Sequence, residues 1–364
     1  MTDLGPTTVA APPTPSLKAG AGASRPARIA LGVLTRIGWL LVVVWAAVSL
    51  TFILSRVVPA DPARLAAGLQ AGPEQVAEVR ALLGLDQPLL KQYIDYLGGI
   101  ATLDFGDSIQ TRGPVLDDLL KALPATLELV LVAFTIYAIV GITLGVLWAV
   151  RPRGILSRLI GFGTIIGAAV PVFWLGLVLQ VFLASKLGWF PISGRMNYND
   201  FGVADVTGFT TIDALLAGNL SAFGDALWHL VLPVTALVAS QLAVATRLMR
   251  TSMAQQLRRP YVRVARARGS SELRVVVVDA LRNALNPVVT MLGMQFGWLL
   301  AGTILVEVVF SWPGLGLYAF NAFRTFDYNP ILAITIVTTV TFVVVNELVG
   351  LIYPILDPRL KEDR

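Results

Sequence analysis

Nineteen consecutive residues, Ile37–Ser55, carry no charge, and the run ends at Arg56 and Pro59. A helix needs about 20 such residues to cross the hydrocarbon core of a bilayer. The same pattern recurs at Leu129–Val150, Leu159–Ser185, Leu230–Thr246, Val288–Val306 and Ile331–Asn346, the last running on to Tyr353 past Glu347. Few folds satisfy six such runs, because every backbone N–H and C=O in lipid must be paired within the protein. The composition agrees: 55% of the 364 residues are hydrophobic and 14% charged, against about 25% charged in soluble domains. An all-α polytopic membrane protein with six transmembrane helices is expected.

Lysine and arginine set the orientation, since cytoplasmic loops are enriched in them. The N-terminal segment, the loop after the second run, the loop after the fourth and the C-terminus together hold 19 basic residues. The alternate loops hold nine, over much longer stretches. Both termini are thus expected in the cytoplasm, in a multi-pass plasma-membrane (inner-membrane) protein. Residues 1–30, rich in Ala, Pro, Gly, Ser and Thr, read as a disordered tail. Residues 31–56 hold the first span, 57–123 an extracytoplasmic loop with short helices, 124–353 the transmembrane core and 354–364 a cytoplasmic tail. Within the outer loop, Pro73, Pro88 and Pro114 each stand where a helix can begin, and Gly84 stands after the first of these helices.

Composition also excludes chemistry. The chain has no cysteine and one histidine, His229, so thiolate sites, cysteine nucleophiles and histidine zinc clusters are absent. No Gly-Lys pair occurs, so there is no Walker A sequence. An intramembrane enzyme has little from which to build a nucleophile and base, and no GxSxG is present. A secondary transporter or channel working without an ATPase is the alternative; it would be expected to carry mid-span charges or inverted repeats, and neither is evident. The polar residues within spans are Gln180, Gln241, Gln295 and Asn346, with Glu128, His229, Glu307 and Glu347 near span ends. Gln180, Gln241 and Gln295 are candidates to line a pathway, against the alternative of interhelical hydrogen bonding. Glycines such as Gly141, Gly145, Gly163, Gly167 and Gly297 either pack helices closely or leave room for a substrate.

The loop within 247–287 is too charged for a bilayer and too patterned for a simple linker. Pro260 suits the first turn of a short helix over Tyr261–Arg268, and Gly269 a left-handed stop. Ser270 or Ser271 can cap a second helix, with Glu272 in its first turn. There Leu273, Val276, Val277, Ala280, Leu281, Ala284 and Leu285 form one apolar stripe at helical spacing, and Pro287 breaks the pattern before the fifth span. The arginines alone could serve only to hold the loop inside and touch anionic lipid; the helix–glycine–helix punctuation asks for more.

The stretch ARARGSSELRVVVVDALRNALNPVV resembles the cytoplasmic EAA loop of ABC-importer permeases of the dipeptide/oligopeptide class. Ala265 and Gly269 match that pattern; Arg263, Asp279 and Arg282 depart from it. RVVPADPA at 56–63, LGLDQPLLKQY at 83–93, LPATLEL at 123–129, PVFWLGLVL at 171–179, FPISG at 190–194, EVVFSWPGLG at 307–316 and DYNP at 327–330 resemble the same class, in order. The resemblance implies the type I ABC importer permease fold, as half of a pathway completed by a second homologous permease subunit. It implies two separate ABC ATPase subunits that bind ATP and Mg, so that this chain holds no cofactor, and an extracytoplasmic substrate-binding protein that delivers peptide. No nucleic-acid partner is expected. By match, the ATPase-docking helix comprises Tyr261, Val262, Arg263, Ala265, Arg266, Ala267 and Arg268, closed by Gly269.

Overall fold

A computed structural model describes residues 25–57, 62–68, 70–82, 84–197 and 201–356. Most of the expected N-terminal tail, part of the 56–63 motif, the C-terminal tail from 357 and the side chain of Asn346 lie outside the described residues. The chain divides into two compact units, one ending at Trp45 and one beginning at Ala46. The first contains the opening of helix α1 (Arg25–Val57), which starts within the stretch expected as tail. Leu34, Ile37, Trp39, Leu41 and Trp45 are exposed on it, as on a helix whose surroundings are apolar.

The second unit is helical among the described residues, apart from an isolated bridge between Asp107 and Pro114. Short helices α2 (Pro62–Ala67), α3 (Pro73–Leu82) and α4 (Leu89–Ala101) precede α5 (Val115–Val150). Pro73 opens α3, while Pro88 and Pro114 cap α4 and α5. The helix expected after Pro114 and the second span are one continuous 36-residue helix. It passes through Pro124 unbroken.

The third run is not a straight span. It forms α6 (Ile155–Ala169) and α7 (Val172–Lys186), bent by 106°. Pro171 has no N–H to give and disfavours α geometry at the residue before it; Val170 is extended, with ψ 126°. After α8 (Thr210–Leu216) comes α9 (Leu220–Leu257). The fourth run, expected to be the shortest, thus lies inside a 38-residue helix that touches α5, α6, α7 and α11. The side chain of Asn219 caps its start by accepting from the Ala222 N–H at 3.0 Å. Then follow α10 (Pro260–Ala267), α11 (Glu272–Val309), α12 (Leu315–Thr325) and α13 (Tyr328–Leu356). Among the described residues four helices are long and apolar enough to cross a membrane, five if the bent pair counts as one.

Helices α5 and α9 meet along small residues. A Cβ on Gly141 would stand 2.6 Å from that of Ala245, and one on Gly145 would stand 2.5 Å from that of Met249. Without those two hydrogens in place of methyls the backbones could not approach so closely, which is the reason small residues four apart recur at membrane helix interfaces. Gly167 against Ala239 and Gly297 against Phe342 are equally close, whereas Gly163 faces open space. Most of these glycines therefore serve packing rather than room for substrate.

Candidate coupling surface, polar layer and end clamp

The arginine-rich loop folds as two helices about a glycine corner. Pro260 opens α10, and Gly269 closes it at φ +82°. The Ser271 side chain accepts from the Arg274 N–H, capping α11. Across the corner the Arg266 guanidinium donates to both Glu272 oxygens, at 2.7 and 3.1 Å. This exposed pair orients more than it stabilises.

The helix α10 has two faces. Val262 is fully buried, in the cluster that also holds Val275, Ala280 and Ala284, and Ala265 packs on that cluster. Tyr261, Arg263, Val264, Arg266, Ala267 and Arg268 are exposed, as is Gly269. Tyr261 donates to Gln256 Oε1 at 3.0 Å and accepts from Asn283 at 3.3 Å. An open cavity of about 740 Å3 lies beside it, lined by Gln256, Arg259, Pro260, Tyr261, Asn283 and Asn286.

Five of the seven residues expected in the apolar stripe on α11, namely Val276, Ala280, Leu281, Ala284 and Leu285, lie in or against the buried cluster, and the departure is confined to its start. Leu273 and Val277 are exposed, while Val275 is buried. The cause is a wide π-turn over Val275–Ala280, which puts one extra residue into the turn. Val275 and Ala280, five apart, share the inner face; Ala284, Val288 and Leu292 continue it at intervals of four. Pro287 does not separate this helix from the span, for α11 runs unbroken to Val309. The second half of the loop and the span are one continuous helix.

In the bundle interior Gln295 is nearly buried. Its amide donates to Gln241 Oε1 at 3.3 Å and to the Tyr137 hydroxyl at 3.4 Å. Tyr137 is fully buried and its hydroxyl lies 3.7 Å from Met291 Sδ. Two sequence candidates thus meet in one polar layer joining α5, α9 and α11. Sequence reasoning missed Tyr137, although it is the one tyrosine within the second apolar run. Gln180 stands apart: its amide donates to the carbonyls of Ile192 and Val309, both at 3.0 Å. His229 lies in the third turn of α9, its Nδ1 2.8 Å from the Asp225 carbonyl oxygen.

At the end opposite the arginine loop, side chains distant in sequence interlock. Glu307 is fully buried; it accepts from Thr126 Oγ1 at 2.7 Å and from the N–H groups of Gly316 and Leu317 at 2.6 and 3.1 Å. The Leu315 N–H donates to Thr126, and the Trp312 indole to the Ala125 carbonyl. Glu128 pairs with Arg195 at 2.5 Å and also accepts from the Thr211 N–H and hydroxyl. Asp327 accepts from the Ser108 hydroxyl at 2.7 Å. Gly316 must be glycine here, since a Cβ would stand 2.5 Å from Ile304 Cα. The stretches at 123–129 and 307–316 singled out in the sequence are therefore parts of one clamp, and 327–330 is tied to residues 107–110. Among the described residues no group of acidic and histidine side chains could hold a metal ion.

A bundle of apolar rods, a glycine-cornered arginine loop at one end and a polar clamp at the other define a membrane permease rather than a soluble or membrane-bound enzyme. The chain belongs to the binding-protein-dependent transport system inner membrane component family, whose model matches residues 141–362, with the N-terminal model of the same membrane components matching 31–130. It is a multi-pass inner-membrane protein, a pathway subunit of an ABC transport system that has other subunits. The chain is 40% identical over 331 residues to the di/tripeptide transport system permease DppB of Pseudomonas aeruginosa, covering 90% of this chain and 98% of that one. It is 37% identical to the dipeptide permease DppB of Escherichia coli (91% and 99% covered) and 37% identical to the oligopeptide permease AppB of Bacillus subtilis (86% and 93%). The class expected from the loop and its companion motifs is the class found.

Proposed function

We propose that this chain is one half of the translocation pathway of an ATP-driven importer of short peptides. Similarity to permeases named for di/tripeptides, dipeptides and oligopeptides over nearly the whole chain carries the reading. A second homologous permease completes the pathway, two ABC ATPase subunits bind ATP and Mg, and an extracytoplasmic binding protein delivers the peptide. Six spans follow from the six uncharged runs, and the charge distribution puts both termini and the arginine loop in the cytoplasm. The type I arrangement places residues 57–123 outside, 124–353 in the permease core and 354–364 inside.

The exposed face of α10, with Tyr261, Arg263, Arg266, Ala267 and Arg268, docks on the ATPase. Val262 and Ala265, turned inward, carry the load to α11. Because α11 is continuous from Glu272 to Val309, a push on α10 moves the whole rod. Gln241, half-buried, is the pathway-facing member of the polar layer; the Gln295 amide donates to its Oε1 from behind and is itself bound to the Tyr137 hydroxyl. Gln180 braces the turn that follows the bent pair.

The test is a Gly269→Val variant in the assembled complex. A β-branched residue at φ +82° is a genuine backbone outlier, costing about 1–3 kcal/mol. The complex should still form and hydrolyse ATP, while peptide uptake into proteoliposomes per ATP falls. Wild-type stoichiometry in that variant would overturn the coupling role of the glycine corner.

A further inference from the structure

Helix α4 lies outside the machinery just described, and its surface divides into three faces. Tyr93 and Tyr96 turn toward α1: the Tyr93 hydroxyl is 2.5 Å from Ser49 Oγ, and the Phe52 ring is 5.2 Å from that of Tyr93 and 5.6 Å from that of Tyr96. Lys91, Asp95 and Gly98 make an exposed polar face. The third face is apolar and has no protein against it among the described residues. Leu90 is 70% exposed and Ile94 58%; at helical spacing Leu97 and Ala101 continue that line, and Leu103 beyond the helix is exposed too.

Two unlike exposed faces on one short helix ask for two unlike surroundings. The depth of the contact says which. Ser49 and Phe52 belong to the uncharged run that ends at Ser55. At 1.5 Å per residue they lie roughly 5–9 Å inside its edge. Amphipathic helices that lie in a membrane surface sink by about 5–10 Å, and tyrosines are enriched at that level. Leu50 and Ile53, also exposed on α1, lie beside the contact. The apolar face of α4 therefore continues the lipid-facing surface of the first span.

We propose that α4 is an interfacial helix that lies in the outer leaflet, with Leu90 and Ile94 among acyl chains, Lys91 and Asp95 in water, and Tyr93 and Tyr96 anchoring it to α1. It would set the height of the outer loop above the bilayer. The proposal rests on the reading of Ile37–Ser55 as a span.

The chain has no cysteine, so one introduced cysteine is its single nitroxide site, and any cysteines of the partner subunits are replaced beforehand. Labels are placed through Leu90→Cys, Ile94→Cys, Lys91→Cys, Asp95→Cys and, as a reference on α1, Leu50→Cys. The assembled transporter is held in nanodiscs of phosphatidylethanolamine and phosphatidylglycerol. Collision with oxygen, which partitions into lipid, is compared with collision with a water-soluble nickel chelate. The oxygen-to-nickel ratio at 90 and 94 should match that at 50 and be inverted at 91 and 95. Nickel access at 90 and 94 with lipid access at 50 overturns the interfacial helix alone. Nickel access at 50 as well overturns the first span and the proposal with it. Labels at 90 and 94 that become shielded from both probes only when the binding protein is added assign the face to that protein and overturn the proposal.

Discussion

Glu307 shows what a single carboxylate does in this protein. It is fully buried and holds Thr126 and two backbone N–H groups, so truncation leaves three donors without an acceptor. Each unsatisfied buried group costs about 1–3 kcal/mol. Glu307→Ala should lower the thermal midpoint of the purified complex substantially, and Glu307→Gln less. The Glu128–Arg195 pair is the second case: Glu128→Ala leaves Arg195 buried without its partner, and breaking such a pair costs about 3–5 kcal/mol. Scanning fluorimetry of the two single variants and the double should show the double less destabilised than the sum. Asp213 gives a pH signature. Burial works against its ionisation, but hydrogen bonds from the Thr207 hydroxyl and from the N–H groups of Thr207, Val206 and Gly208 outweigh it and hold the carboxyl below its ordinary value. A depressed folded value means stability that is present above the ordinary carboxylate range and is lost as pH falls through the folded value. Amide exchange at 206–208, corrected for intrinsic rates, should accelerate below about pH 4, and Asp213→Asn should flatten that dependence.

At the scale of elements, the break expected at Pro287 is absent, and the one at Pro171 was not foreseen. Pro124, Pro233 and Pro287 all sit inside continuous helices, whereas Pro171 stands at a 106° bend. Each proline removes one hydrogen bond; whether the helix also turns depends on what packs around it. The contact of α5 with α9 is the firmest prediction here. Gly145→Leu would drive a side chain into Met249. Overpacking of this kind costs about 1–3 kcal/mol, so the variant should express less folded complex by size-exclusion chromatography, while substitution of Gly163, which faces open space, should not.

For the whole molecule, division of labour is the governing feature. Purified alone, this chain should neither hydrolyse ATP nor accumulate dipeptide in proteoliposomes. Uptake should appear only on reconstitution with the second permease, the ATPase subunits and the binding protein, and uptake by this chain alone would favour a transporter that needs no ATPase. The proposed coupling would run from the exposed arginines of α10, through buried Val262, to α11, which carries Glu307 into the clamp near its end at Val309. The arginine loop and the clamp thus share one helix.

Much of this was legible in the residues. Uncharged runs long enough to span a bilayer announce helices because lipid offers no partners for the backbone. The helix caps at Pro73, Pro88, Pro114 and Ser271 and the left-handed corner at Gly269 are local, set by residues within a turn of one another, and they stand where expected. The face that α11 buries was legible at Val276, Ala280, Leu281, Ala284 and Leu285; only Leu273 and Val277 fall outside it, because a π-turn adds a residue there and leaves no mark in the period of the sequence. The pairing of Glu128 with Arg195, the layer of Tyr137, Gln241 and Gln295, and the service of Gly141 and Gly145 to packing were undecided in the chain. Each joins groups tens of residues apart or more, and only the tertiary structure could choose among their partners.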